Sequence, residues 1–424
     1  MIVTVPFTVL LRIPGDVEPM NKICPVILSA FGPPALACLR SWGRAGMTPG
    51  MICIQGPDEP RPASKYLADS ICLSREDLYN SRGLSFITQF LEEFGASGLT
   101  CIDENIAQWL NREHLQLPDG VALWLPPNEM LQRVLDKVAQ IEAARQVGLS
   151  VLPTYLFSGG NSIDKIPADH FPLCLRPSMP GSVKPSFKAF TVASLAELRS
   201  HLQTFEILAP IIGQPFVQLP NLIVHGARNC FGKIFVVKGF IADRKFEGLA
   251  LTLRPVMLSE GFLDKCNAFI EKIALVGHYH FDFLVDDQSG EIYFLEINHR
   301  FGGTTAKALA CGYQEPLYAL QAQGIDVSVD ASVNHVTVSN IKALCKSALY
   351  AMTGRLTSLD YPEESTMKRI WSTLQCLALC RDEVFAWDDL HGTAIFYFGN
   401  IYGHLSRTIT ACRRLLPPIK GDQL

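Results

Sequence analysis

Several features that would assign this chain at once are missing. No two of its 13 cysteines have CxxC spacing, which removes zinc-ribbon and thioredoxin-like readings. Cys376 and Cys380, one helical turn apart, read as small core residues. An odd cysteine count in a long chain suits a reducing compartment, so the expected location is cytoplasmic. No apolar run reaches the roughly 18 residues of a membrane helix. Residues 2–11, "IVTVPFTVLL", lack the basic flank and small-residue cleavage site of a signal peptide and read as a strand or docking arm. The net charge of −4 offers no field for nucleic acid or a membrane surface. The first strand-to-helix turn, "SAFGPP", is not GxGxxG, so a dinucleotide oxidoreductase is disfavoured. There is no internal repeat and no low-complexity tract.

What is present is a large apolar chain. Its 424 residues are 48% hydrophobic and 18% charged, enough for two or three domains with real cores. Residues 24–54 read as a βαβ unit: an apolar run at Cys24–Ser29, a helix at Ala35–Ala45 with Leu36, Leu39 and Trp42 on one face, and a strand at Met51–Ile54. A helix at Ser85–Phe94 and a strand at Gly98–Asp103 continue an open α/β sheet to about residue 126. The longest helical pattern covers 127–147, with Leu131, Val134, Leu135, Val138 and Ile141 in one stripe and Gly148 as its stop. Asp136 and Lys137 lie beside that stripe. A strand carrying Arg176 then enters "PGSVKPSFK", a glycine-containing loop with Lys188 on its far shoulder. Small residues with cations on both sides suit a phosphate clamp, and a flexible hairpin reads equally well. A helix over 194–205, a strand over 215–220 and two strands within 221–237 follow. Beyond residue 304 the pattern is mostly helical, with segments at 304–310, 341–352, 367–379 and 406–416.

The chemistry concentrates in "FDFLVDDQSGEIYFLEINHRFGG", Phe281 to Gly303. Two short strands flank a turn rich in Asp, Ser and Gly. Alternate residues of a strand share a face, so Glu296, Asn298 and Arg300 point together if the strand runs that far. If Asp286 pairs with Ile292, Leu284 pairs with Phe294 and Asp282 stands opposite Glu296. Opposed carboxylates destabilise a sheet unless a cation or proton separates them. Two acids and an amide oxygen form a hard ligand set suited to Mg²⁺ beside phosphate, and Arg300 could hold a phosphate or acyl phosphate.

This stretch resembles the metal-binding core of the ATP-grasp superfamily: an acid on one strand, then Glu-x-Asn-x-Arg, with His299 where the family usually has proline. The resemblance extends over about residues 127–310. It implies an α/β fold with α+β lobes: an open-sheet domain at 1–126, a small lobe at 127–225, a large lobe at 226–325 and a mostly helical extension at 326–424. It implies ATP with one or two Mg²⁺ (or Mn²⁺) held by Asp282, Glu296 and Asn298. Lys137, Arg176, Lys188 and the hinge residue Gln218 would contact the nucleotide. Gln218 stands where the family has an acid, and His225 falls near the position of a second, ribose-holding acid. Arg300 would stabilise the acyl phosphate, and Arg254 could hold a substrate carboxylate. Arg244 and Lys245 read equally well as a solvated basic loop, and His278 and His280 as structural residues. The implied activity is carboxylate–amine ligation of small molecules, without nucleic acid and compatible with a homodimer. A small-molecule kinase and a nucleotide-binding protein with reduced catalysis are the alternatives.

Overall fold

The computed structural model describes residues 23–56, 59–112, 117–158 and 166–399. The apolar stretch 2–11 and the helix expected over 406–416 lie outside them.

Five parallel strands come first: β1 (Pro25–Ser29), β2 (Gly50–Ile54), β3 (Asp69–Leu73), β4 (Gly98–Cys101) and β5 (Ala122–Leu123), in the order β3-β2-β1-β4-β5. β1, β2 and β4 are buried throughout, as parallel strands covered on both faces are. The helices are α1 (Pro33–Arg44), α2 (Arg75–Leu78), α3 (Ser81–Phe94) and α4 (Glu104–Arg112). Leu36, Leu39 and Trp42 of α1 are buried, as their spacing predicts.

The long helix expected over 127–147 is two helices, α5 (Asn128–Leu135) and α6 (Lys137–Gln146). Asp136 leaves helical geometry at φ −78°, ψ 98°, and its carboxylate accepts from the N–H groups of Val138 and Ala139 at 2.9 and 3.1 Å. It is an N-cap, and the break turns Lys137 away from the α5 stripe. Then come β6 (Ser150–Val151), β7 (Tyr155–Phe157), β8 (Leu173–Pro177), β9 (Val183–Lys184), β10 (Phe190–Val192), α7 (Leu195–Leu202), β11 (Glu206–Ile207) and β12 (Ile211–Pro215). They build a four-stranded sheet, β10-β8-β12-β7, beside a β11-β9 pair. The strand expected over 215–220 instead ends at Pro215. Prolines at 215 and 220 remove ladder donors from that stretch.

The largest sheet has eight strands, β21-β20-β17-β14-β13-β18-β19-β6. It uses β13 (Asn221–Arg228), β14 (Lys238–Ala242), β17 (Thr252–Val256), β18 (Gly277–Val285) and β19 (Ile292–Asn298), with a small β15–β16 ribbon (Lys245–Phe246, Leu249–Ala250) alongside. Of the two strands expected within 221–237, one is β13, and its partner begins only at Lys238. One face buries Leu222, Val224, Ile241, Phe281, Phe283 and Phe294 against helices α6 and α8 (Glu260–Lys272). Helices α9 (Thr305–Ala310) and α10 (Glu315–Ala322) cover part of the other face and meet α1, where Trp42 Nε1 donates to the Pro316 carbonyl at 3.2 Å. The C-terminal region contains α11 (Ile341–Met352) and α12 (Thr366–Leu379), and also gives the large sheet its edge strands β20 (Val338–Ser339) and β21 (Arg381–Asp382). No helix among the described residues is long and apolar enough to cross a membrane.

Candidate functional site

The site is built on the β18–β19 hairpin, whose register differs from expectation near the turn. Val285 pairs with Ile292, Leu284 with Tyr293 and Phe283 with Phe294. Carried on unchanged, that pairing would leave Asp282 out of step with Glu296. A β-bulge between Asp282 and Phe283 takes up Leu295 and restores the Asp282–Glu296 and His280–Asn298 pairs. The bulge frees the Leu295 carbonyl, which accepts from Arg176 Nη2 at 3.0 Å. Thus the irregularity that aligns the acids also creates the contact through which the four-stranded sheet reaches the large one.

Three side chains converge on the acids. Lys137 Nζ lies 2.8 Å and Arg176 Nη1 3.5 Å from Glu296 Oε2. Asn298 Nδ2 donates to Asp282 Oδ2 at 3.1 Å and to Glu296 Oε1 at 3.4 Å. Burial raises the Asp282 carboxyl to about 7, and the neighbouring Glu296 charge adds to the effect. Burial pushes Glu296 the same way, but Lys137 and then Arg176 outweigh it and hold Glu296 well below its ordinary value. The pair therefore has one acid neutralised by protein cations and one that calls for further positive charge.

Residues outside the recognised motif hold this arrangement. Gln140, buried one turn after Lys137, donates to the Ile297 carbonyl at 3.2 Å and accepts from the Ile297 N–H at 3.0 Å. It pairs with β19 as a strand residue would and fixes α6 so that Lys137 reaches Glu296. Gln214 accepts from Arg176 at 2.9 Å. Arg300 is paired with Glu104 at the start of α4, 2.7 Å away, so the N-terminal unit contributes to the site edge. Gln140 and Gln214 carry no local signal, and Glu104 is 196 positions from its partner.

The remaining sequence-predicted residues lie elsewhere. Lys188 is exposed in the segment between β9 and β10. Gln218 is exposed and donates to the Ser358 carbonyl at 3.2 Å, in a C-terminal loop. Arg254 does not join the site. It registers with Ile241, on the face opposite the row of Asp282 and Ile223, and pairs with Asp243 at 2.8 Å in a half-exposed bridge. The reading of Arg254 as a carboxylate holder is corrected on that ground. His225 is fully buried against Glu315 and Thr304. Lys245 is not a solvated loop residue. It donates to the Leu219 carbonyl at 2.8 Å and to Asn221 Oδ1 at 3.0 Å, and burial lowers it to about 8 against the pull of Asp282.

Comparison with solved structures places this architecture. An L-amino acid ligase from Bacillus licheniformis superposes with TM-score 0.54 at 14% identity, over 75% of this chain and 79% of that one. The chain has the ATP-grasp fold. The ADP complex of PurK, N5-carboxyaminoimidazole ribonucleotide synthetase, superposes with TM-score 0.56 at 14% identity, over 85% of this chain and all of that one. The biotin carboxylase domain of Hydrogenobacter thermophilus 2-oxoglutarate carboxylase, solved with MgADP and bicarbonate, gives TM-score 0.56 at 13% identity over 74% and 73%. No protein-family model matches the sequence, and no curated protein matches it.

The donor set around the hairpin fits a divalent cation. Two carboxylates stand across adjacent strands, an amide touches both, and burial with the Glu296 charge beside it raises Asp282. Hard oxygen ligands of this kind, completed by phosphate oxygens, suit Mg²⁺.

Proposed function

We propose that this protein is an ATP-dependent ligase that activates a carboxylate as an acyl phosphate and couples it to an amine, releasing ADP and phosphate. The observation that carries this reading is the alignment of Asp282 with Glu296 beneath Lys137 and Arg176. The solved ligase structure and the nucleotide complexes of the synthetase and the carboxylase, all of the same fold, support it. We assign the open-sheet unit to 1–126, the small lobe to 127–225, the large lobe to 226–325 and the extension to 326–424.

A carboxylate is a poor electrophile, and phosphoryl transfer converts it into a good one. Asp282, Glu296 and the Asn298 amide would hold one or two Mg²⁺ (or Mn²⁺), which supply charge neutralisation to the phosphates when bound. Lys137 and Arg176 beside Glu296, and Lys188 from the glycine-containing loop, would neutralise phosphate charge. Arg300 keeps its guanidinium at the cleft edge through Glu104 and stabilises negative charge developing on the acyl group. Both substrates are small molecules, and the protein acts in the cytoplasm.

A phosphate-release screen with ATP, Mg²⁺, amino acids and small carboxylates tests the reading, with Glu296→Gln as control. Release that requires both a carboxylate and an amine supports ligation. A stable phosphorylated product from one substrate would replace it with a kinase. Release that survives unchanged in Glu296→Gln would remove the cation assignment.

A further inference from the structure

A second polar cluster lies deeper in the large lobe, on the same sheet face as the acids. His225 of β13 and His280 of β18 are register partners, so their side chains project together, and their rings stack at 5.3 Å. Glu315, the first residue of α10, comes down onto them. His225 Nδ1 is 3.0 Å from Glu315 Oε1, and one ligand atom from each of the three residues lies within 4.8 Å of the others. All three are buried: His225 and Glu315 are 0% exposed and His280 5%. Phe240 and Tyr313 flank His225, each with its ring centroid 5.6 Å away.

This cluster is incompletely satisfied as protein alone. Glu315 Oε2 and His280 Nδ1 are buried with no hydrogen-bond partner among the described residues. An unpaired buried carboxylate oxygen costs several times what a made hydrogen bond contributes. The supporting contacts are those of a ligand shell. Thr304 Oγ1 lies 3.2 Å from His225 Nε2 and can accept a hydrogen bond from its N–H, leaving Nδ1 with its lone pair toward Glu315. A Cβ on Gly302 would stand 2.6 Å from His280 Cε1, so bare backbone seats that ring. Two imidazoles and one carboxylate select borderline transition ions over Mg²⁺, which prefers oxygen alone.

We propose that His225, His280 and Glu315 form a site for a divalent transition ion of the Zn²⁺ or Co²⁺ class, separate from the Asp282–Glu296 pair. The ion would supply the missing partners for Glu315 and His280 and tie α10 to the sheet. Three protein ligands leave one position for a water. His280 Nε2 lies 3.9 Å from Asp282 Oδ2, so the two sites adjoin without sharing a residue.

The test uses full-length, tag-free protein stripped with a chelator and titrated with Co²⁺ under excess Mg²⁺. One Co²⁺ per chain is expected, with the intense visible absorption of a four- or five-coordinate nitrogen–oxygen site, displaced by Zn²⁺. Binding should weaken at least about 100-fold in His280→Ala and Glu315→Gln and persist in Glu296→Gln. Should either first variant fail to fold, X-ray absorption of the Zn²⁺-loaded wild-type protein decides instead, and two imidazoles in the first shell are expected. Absence of stoichiometric uptake, uptake untouched by His280→Ala, loss of uptake in Glu296→Gln, or a shell of oxygens alone would each overturn the proposal.

Discussion

Two regions of the molecule contrast sharply, the β18–β19 hairpin and the stretch from Gln218 to Lys245. At the hairpin, the two acids and the amide, Asp282, Glu296 and Asn298, lie on strands joined by a short turn, and Lys137 and Arg176 reach them from elsewhere in the chain. From Gln218 to Lys245, contacts join residues far apart in the chain. Gln218 meets Ser358, Arg244 pairs with Glu364, and Lys245 exchanges backbone hydrogen bonds with Tyr361 and lies under its ring. Local periodicity can place side chains on a shared face, but it carries no information about a loop returning after more than a hundred residues.

The comparison can be broken first at the hairpin. Glu296→Gln should reduce ATP-dependent phosphate release by about 10³-fold, the several kcal/mol that cation-assisted charge stabilisation supplies. Steady-state assay at saturating ATP measures this, and a loss under tenfold would move the chemistry elsewhere. In the second region, Glu364→Ala leaves the half-buried Arg244 guanidinium unpaired and should cost about 3 kcal/mol in urea unfolding. A change below about 1 kcal/mol would show that the C-terminal loop is not anchored there. Gln140→Ala strands the Ile297 backbone groups and should cost about 2 kcal/mol. Its effect should extend to activity, because Lys137 rides on the same helix.

Asp282 gives a prediction in pH. Its carboxyl is raised from 3.8 to about 7, so the folded state keeps a proton that the unfolded state releases. The resulting stability is present below about 3.8 and is lost as pH rises toward 7. The stability difference between wild type and Asp282→Asn should therefore change across that window and level off above it. A constant difference from pH 4 to 7 would contradict the raised carboxyl. The smallest effect is expected at Arg254→Ala. Its exposed bridge to Asp243 contributes within about 1 kcal/mol, and activity should change less than about twofold.

Much of the scaffold was legible in the sequence. Alternation fixed which hairpin residues share a face, and apolar runs marked the parallel strands. The opposition of Asp282 and Glu296 was foreseen through a register that proved one residue off, and the bulge at Leu295 brought the two acids together. Such a bulge has no signature in a strand of ordinary residues. The helix break at Asp136 was hidden because the apolar stripe runs on across it, although an Asp before a helical segment is a common cap. Arg254 misled because basic residues near a cleft look alike until the strand register assigns their face. Gln140, Gln214 and Glu104 were invisible because a neutral amide or a lone acid acquires its role only from the backbone or side chain that the fold brings to it.

The most direct measurement is a Mn²⁺ titration followed by electron paramagnetic resonance, with ATP present. Wild-type protein and Arg254→Ala should immobilise Mn²⁺ equally in the nucleotide complex, and Glu296→Gln should not. Equal immobilisation in Glu296→Gln would contradict a cation held between β18 and β19.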